Sequence, residues 1–268
     1  MNKSIKAALV VTALATMLIG CKSQYEQLLE GGSTADKYNA AFEYFNKGKY
    51  QRSAQLFESL SLVTAGTAQD DTVQYYWALS NYNQKDYYSA EANFQHFLEN
   101  YPASSFSESA EFLRIDCLYR STLRYELDQS PTYVAITAIS EYIIAHPNSP
   151  NVQVCNKMLR DLSERLDRKA YENAKIYYTM EDYKAAHVAL KNVLKEDADN
   201  IYRQDILYYT AMSSYHYARL SVPEKQKERY MTFADDYLNF VGEYPDSPHR
   251  KELDALYKKV RGKDLADE

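Results

Sequence analysis

The chain has 268 residues, a net charge of −6 and a pI near 5.5, so it has no overall basic field with which to hold nucleic acid. Its 27 tyrosines stand beside only 7 glycines and 7 prolines, a composition that favours long helices with few turns and packing by amphipathic rings. Beyond a short N-terminal stretch, no segment is apolar enough to predict a membrane span.

The N-terminal stretch has the pattern of a secretory signal. Lys3 and Lys6 precede an apolar run over residues 7–19, which is shorter than the ~20 residues of a spanning helix. The run closes with Leu-Ile-Gly-Cys at residues 18–21, a pattern that is cut and lipidated in bacterial lipoproteins. We therefore predict a signal peptide over residues 1–20 and a diacylglycerol anchor on Cys21. The alternative is an ordinary secreted protein with a chance cysteine.

The residues after the anchor predict its surroundings. Lys22 follows the cysteine where an aspartate would often retain a lipoprotein in the inner membrane, so the outer membrane is favoured. Residues 21–36 include Gly31, Gly32 and Ser33, and we predict a lipidated tether there.

Helical hairpins repeat along the rest of the chain. Three segments end in a proline at aligned positions, and a small residue precedes each of the first two prolines by twelve residues. Large apolar residues follow the small one at four-residue spacing, which is one face of a helix. The prolines are Pro102, Pro147 and Pro245; the small position recurs at Ser53, Ala90, Ala135 and Ala186, and Phe233 replaces it in the last copy.

This register resembles the tetratricopeptide repeat, which has a small residue, a large residue and a terminal proline in a unit of ~34 residues. We predict an all-α fold, a tetratricopeptide-repeat superhelix of about five helical hairpins, over residues 37–262, followed by a polar tail over 263–268. Residues 150–180 are predicted to form one continuous helix. A plain helical bundle would show the same period without the repeated register.

The sequence offers no arrangement for catalysis. It has no nucleotide-binding glycine loop or serine-hydrolase elbow, and none of its five histidines has a second His or Cys three or four residues away. We therefore predict no enzyme activity, no catalytic residue, no metal site and no cofactor. Cys117 and Cys155 fall on apolar helix faces, which favours free core residues, although an oxidising envelope would permit them to pair.

Repeat proteins of this kind bind on a surface built mainly by the first helix of each hairpin. We predict a groove there for an extended peptide. Its candidate residues are Tyr44, Tyr75, Tyr76, Tyr82 and Arg114. For each tyrosine the alternative, core or hairpin packing, is the more frequent role.

The order of these parts resembles the BamD family, lipoproteins of the machine that assembles β-barrel proteins in Gram-negative outer membranes. The most specific stretches are Ala92-x-Phe94-x-x-Phe97-Leu98-x-x-Tyr101-Pro102, then Ala110-x-Phe112-x-Arg114, His146-Pro147-Asn148-Ser149 and Tyr183-x-Ala185-Ala186. Each stretch alone is weak, whereas their order and spacing together are informative.

The resemblance implies a non-catalytic lipoprotein in the outer membrane, with its body facing the periplasm. Its expected partners are the POTRA domains of a BamA-like insertase, unfolded barrel proteins that end in an aromatic residue, and other assembly lipoproteins. Residues 34–146 would meet substrate and the last two hairpins would dock the insertase. Ala198 and Phe233 depart from the family pattern in that second half. The alternative is a generic tetratricopeptide envelope lipoprotein that scaffolds a cell-wall or uptake complex.

Overall fold

The computed structural model describes residues 23–264, with side chains through residue 262, and every regular element in that range is a helix. The signal peptide and Cys21 lie outside the described residues. The chain divides into two compact units, unit 1 up to Ser121 and unit 2 from Thr122. Unit 1 contains α1 Gln24–Gly31, α2 Thr34–Asn46, α3 Tyr50–Ser61, α4 Asp70–Asn83, α5 Tyr87–Asn100 and α6 Ser107–Arg120. Unit 2 contains α7 Ser130–Ala145, α8 Val152–Thr179, α9 Tyr183–Glu196, α10 Arg203–Arg219, α11 Pro223–Glu243 and α12 Arg250–Asp264.

Side chains and prolines set many of the helix ends. The Asp86 and Asp182 carboxylates accept the backbone N–H groups of the third residues of α5 and α9, which satisfies donors that the first helical turn leaves free. The residue after each of the helices α5, α7 and α11 still donates its N–H to the carbonyl four residues earlier. The residue that follows it is a proline in all three cases. Proline cannot continue the helix because it has no amide hydrogen.

Three of the hairpin turns have the same backbone geometry. Gly48, Lys85 and Glu181 take positive φ angles of 70°, 67° and 62°. In each turn the next residue donates its N–H to a carbonyl five residues earlier, as Lys49 does to Tyr44 at 2.9 Å. This is the Schellman cap, which satisfies carbonyls that the helix end leaves free. The repeat is therefore visible in the turns as well as in the helices.

Neighbouring helices pack consecutively within each unit, from α2 to α6 in unit 1 and from α7 to α12 in unit 2. The predicted repeat positions form the core, since Ser53, Ala90, Ala135, Ala186 and Phe233 are all fully buried. At Ser53 the hydroxyl donates to the Ala41 carbonyl at 3.0 Å and lies 3.0 Å from the Ser80 hydroxyl, so three helices approach closely there. The predicted all-α fold of repeated hairpins is confirmed.

The third predicted hairpin differs from the others. Its helices α6 and α7 fall in different units, and the segment over residues 121–129 joins them where other hairpins have three-residue turns. The long helix predicted over residues 150–180 is confirmed as α8, with 28 residues.

The predicted tether is revised by the structure, because part of it forms α1. Ser23 begins this helix with a capping box that includes Glu26, and the ring of Tyr25 is buried against α2 and α3. The helix ends at its cap residue Gly32, where only glycine fits, because a Cβ there would lie 2.5 Å from the Leu28 carbonyl oxygen. The three residues that suggested a linker, Gly31 to Ser33, therefore form a tight junction between two helices.

Two further predictions concern single residues and membrane helices. Cys117 and Cys155 are free and buried, as their apolar neighbours favoured.

Among residues 23–264, no helix combines the length and apolarity needed to cross a membrane. The predicted polar tail begins at residue 263, at the last turn of α12, and lies mostly beyond the described residues.

Candidate functional site

Tyr76, one of the predicted peptide contacts, is the centre of an aromatic cluster in unit 1. Its ring centroid lies 4.7 Å from that of Phe42 and 5.2 Å from that of Phe45. Phe106 approaches it edge-on at 6.2 Å. Edge-to-face contacts of this kind are favoured by the ring quadrupole. The structure thus gives Tyr76 a packing role between neighbouring hairpins.

Tyr75 is also committed to packing. Only 7% of it is exposed, its ring stacks on Phe106 at 4.4 Å, and its hydroxyl lies 2.9 Å from the Ser109 hydroxyl. Burial raises the pKa of this phenol, because the charged form loses its hydration. The structure therefore buries Tyr75 in the core of unit 1, with the ring of the half-buried Tyr76 beside it at 5.5 Å.

Tyr44 lies on α2 and is half-buried. Its ring meets the Tyr25 ring edge-on at 5.4 Å, and the Arg52 guanidinium lies 5.6 Å from its centroid. Lys49 places its ammonium 5.8 Å from the same centroid. Cations at this range are attracted to the ring face, so Tyr44 stands in a positively charged neighbourhood.

Tyr82 connects α4 to a buried carboxylate on α6. Its hydroxyl donates to Asp116 Oδ2 at 2.6 Å, and the same carboxylate oxygen pairs with Arg120 one turn further along α6. Burial, together with this carboxylate, raises the pKa of Tyr82 to about 12. The phenol therefore stays protonated and acts as a donor, not as a general base.

Arg114 projects from α6 towards α5. Its Nε donates to Glu91 Oε1 at 2.9 Å, and one terminal nitrogen lies 3.4 Å from Gln95 Oε1. The side chain keeps about a quarter of its surface exposed. Arg114 is thus held on one carboxylate with part of its guanidinium still open to a ligand.

The five predicted residues do not form one cluster. Tyr44, Tyr82 and Arg114 are half-buried and each has separate partners, whereas Tyr75 is buried and the half-buried Tyr76 packs beside it. Sequence reasoning missed Tyr25, whose hydroxyl donates to Gln55 at 2.7 Å. The signal that could have found it was the capping box at Ser23 and Glu26, which marks a helix start within the tether.

A polar cluster in unit 2 was also missed. Asp236 on α11 is buried; its carboxylate lies 2.7 Å from His187 Nε2 and 3.4 Å from Lys191 Nζ, both on α9. Burial by itself would raise the pKa of the Asp236 carboxyl. The bonds from His187 and from the Ser214 hydroxyl on α10, together with the Lys191 charge, outweigh burial and hold that pKa below its ordinary value.

This cluster does not have the arrangement of a nucleophilic triad. The Ser214 hydroxyl has one hydrogen, for which the Ala211 carbonyl at 3.0 Å and the Asp236 carboxylate compete, whereas a triad serine needs a bond to the histidine. The cluster instead joins three helices of unit 2. Within residues 23–264, no group of three or more His, Cys, Asp or Glu side chains is placed to hold a metal ion.

Comparisons with known proteins give one family match and one similar solved structure. The YfiO family, described as outer membrane lipoprotein, matches residues 31–231. A tetratricopeptide-repeat protein from Bacteroides fragilis, known from a crystal structure, is 16% identical; the alignment covers 86% of this chain and 98% of that one with a TM-score of 0.39. Because that score is too low to establish a shared arrangement, the fold rests on the helix pairing above. A comparison with curated proteins finds no match.

Proposed function

We propose that this chain, which belongs to the YfiO family of outer membrane lipoproteins, is a non-enzymatic subunit of the complex that assembles β-barrel proteins in the outer membrane. It binds the POTRA domains of a BamA-like insertase and unfolded barrel proteins. A lipid on Cys21 holds it to the outer membrane with its body facing the periplasm. The observation that carries this proposal is the family match over residues 31–231, which extends into both units.

The helical repeat supports a binding role. Consecutive hairpins build extended surfaces that hold a peptide or a partner domain without any catalytic group. In unit 1, Tyr44, Tyr82 and Arg114 keep exposed surface on the first helices of three successive hairpins. We assign the contact with unfolded substrate to these three side chains, and the contact with the insertase to the hairpins of unit 2.

The lipid anchor is tested by the variant Cys21→Ala. It should leave the repeat fold intact, because the described core begins only at Tyr25, and move the protein from the membrane to the soluble fraction. Removing the acyl chains removes roughly 0.8 kcal/mol for each buried methylene. Cys155→Ala is the matched control and should remain at the membrane. A Cys21→Ala protein that stays membrane-bound would contradict the anchor.

The partners are tested by crosslinking the tagged protein in isolated outer membranes and identifying captured proteins by mass spectrometry. Near-stoichiometric recovery of a barrel that carries POTRA domains would support the proposal. Reproducible recovery of a different envelope complex, without such a barrel, would favour the scaffold of a cell-wall or uptake machine. Depletion gives a second readout, because an assembly factor should lower many outer-membrane barrels at once.

The substrate contacts are tested by capture of an unfolded barrel protein with purified variants. Arg114→Ala and Tyr44→Ala should each weaken capture, since both side chains are partly exposed. Tyr82→Phe keeps the ring and removes only the hydroxyl that bonds Asp116, so capture should persist. Equal capture by all variants would place the substrate on another surface.

A further inference from the structure

A groove on unit 1 is lined by none of the tyrosines predicted to contact a peptide. It has a volume of about 730 Å³ and runs between α3 and α5, with α4 beneath. Gln51, Gln55 and Glu58 line the α3 side, and Tyr88 and Asn93 line the α5 side. The lining also includes a small residue on each side, Ala54 on α3 and Ala92 on α5.

Aromatic rings lie at the floor and rim of the groove. Trp77, the single tryptophan of the chain, contributes to the floor from α4. Tyr88 stands at the rim and is 86% exposed. A tyrosine so exposed buries little surface in the fold, so a bound ligand would gain most of the contact area of this ring.

Amide side chains dominate the polar lining. Five of them contribute: Gln51, Gln55, Asn81, Gln84 and Asn93. A primary amide both donates and accepts hydrogen bonds. Gln55 already accepts the Tyr25 hydroxyl and Gln84 donates to Asn81, and the remaining amide groups of the lining can pair with a secondary amide of a ligand. The charged lining residues are Glu58, Asp86 and Lys85, which leave a small net charge and favour a neutral ligand.

One of these amides lacks a partner. The Nδ2 of Asn93 is buried and has no hydrogen-bond partner among the described residues. A buried donor without a hydrogen bond costs about 1–3 kcal/mol. Such donors are rare in native structures, and one explanation is a bond to a ligand. A turn of the amide about χ2 towards the groove would let a ligand oxygen accept this donor.

The dimensions favour a short ligand. The α3 side from Gln51 to Glu58 spans on the order of 10 Å, which holds only about three residues of an extended peptide at ~3.4 Å each. Three residues give a peptide few side chains for recognition. Two pyranose rings fill the same length, place their C–H faces on aromatic rings and offer hydroxyl and acetamido groups to the amides.

From this geometry we infer that the α3–α5 groove of unit 1 binds a neutral oligosaccharide that carries N-acetylated amino sugars. Trp77 and Tyr88 contact the sugar rings, and Gln51, Asn93 and the Nε2 of Gln55 bond its acetamido and hydroxyl groups. The inference does not rest on the proposed assembly function, since the groove lies outside the residues assigned to unfolded substrate.

The single tryptophan provides a direct test. We would titrate the purified chain with di-N-acetylchitobiose and follow Trp77 fluorescence, which reports only on this groove. We expect a saturable change with a Kd of about 1 mM or tighter. Cellobiose has the same linkage but hydroxyls in place of the acetamido groups, and it should bind at least about tenfold more weakly.

Variants on both sides of the groove sharpen the test. Tyr88→Ala should weaken binding about tenfold with an unchanged melting temperature, because the ring is exposed. Asn93→Leu should abolish the preference for di-N-acetylchitobiose, and it should fold at least as well because it removes an unpaired donor. Asn100→Leu is the matched control on α5, since that exposed amide bonds only His96; its binding should equal that of the wild type.

Three results would overturn the inference. The first is no saturable fluorescence change with di-N-acetylchitobiose up to about 10 mM. The second is binding that Tyr88→Ala and Asn93→Leu leave at the wild-type level. The third is displacement of the sugar by capped tetra-alanine at lower concentration than the sugar itself requires, which would assign the groove to a polypeptide main chain.

Discussion

Each unit buries an aspartate with a basic partner, and the two differ in where the partners come from. In unit 1, Asp116 pairs with Arg120 four residues along the same helix and accepts the Tyr82 hydroxyl from α4. In unit 2, Asp236 on α11 joins His187 on α9, 49 residues away. The first pair is a local contact on one helix face, whereas the second joins separate helices.

Helix length accompanies this difference. The helices α2 to α6 of unit 1 have 12 to 14 residues, while α8 and α11 of unit 2 have 28 and 21. Regular short hairpins can be held by rings that interlock from one hairpin to the next, as Tyr76 does. In unit 2 the buried carboxylate of Asp236 adds a charged connection between helices, to Lys191 on α9, so part of that unit's stability is electrostatic.

Apolar core substitutions give the baseline for comparing the units and the largest expected effect. Phe94→Ala in unit 1 and Phe240→Ala in unit 2 each remove a fully buried ring. Each should lower the free energy of unfolding by about 3–5 kcal/mol, measured by urea denaturation with hydrogen exchange to locate the loss. Tyr88→Ala, which removes an exposed ring, is the control. A loss confined to one of the two phenylalanine variants would mean that the cores are not equivalent.

The buried aspartates should separate the units. Asp236→Ala should cost about 2–3 kcal/mol, because it leaves His187 without its acceptor in a buried site. Asp116→Ala should cost only about 1 kcal/mol, since Arg120 is 45% exposed and can be hydrated. Asp235 is an exposed neighbour on α11. Asp235→Ala is therefore the control and should change the free energy of unfolding by no more than about 0.5 kcal/mol. Chemical denaturation measures the loss of unfolding free energy in each variant. Equal losses for Asp236→Ala and Asp116→Ala would refute the difference between the two units.

Acid should act on the Asp236 connection. Its pKa in the folded protein is lowered from the unfolded value of about 3.9. For an acid with a depressed pKa, the stabilisation is fully present above the unfolded value and is lost as the pH falls through the folded pKa. The melting temperature of the wild type should therefore fall more than that of Asp236→Asn between about pH 5 and pH 2. Parallel pH profiles for the two proteins would rule out this contribution.

The shared turns should give the smallest effect, and it should be alike in both units. Lys85 and Glu181 hold the positive φ angle that Gly48 takes in the first hairpin. Lys85→Gly and Glu181→Gly should each stabilise the protein by about 0.5–1 kcal/mol, because glycine adopts this conformation without a Cβ clash. Gly48→Ala is the reverse test and should destabilise it. Thermal melts measure all three, and a loss of stability in either glycine variant would contradict the shared geometry.

The sequence predicted the features that recur within single helices. The buried positions Ala90, Ala135 and Ala186 and the long helix α8 follow from apolar spacing alone, because residues three and four apart share a helix face. It did not separate Tyr75, which is buried in the core, from Tyr44, Tyr76 and Tyr82, which are half-buried. All four lie on first helices, and tyrosine suits either environment.

By itself, the sequence determined the helices of the repeat, their repeated register and the ends that prolines give to α5, α7 and α11. These depend on spacing and backbone chemistry within a few residues. Only the tertiary structure decided that α1 packs through Tyr25, that Asp236 meets His187, and that Trp77 lies at the floor of an amide-lined groove. Each of these depends on side chains from different helices, and packing alone brings such side chains into contact.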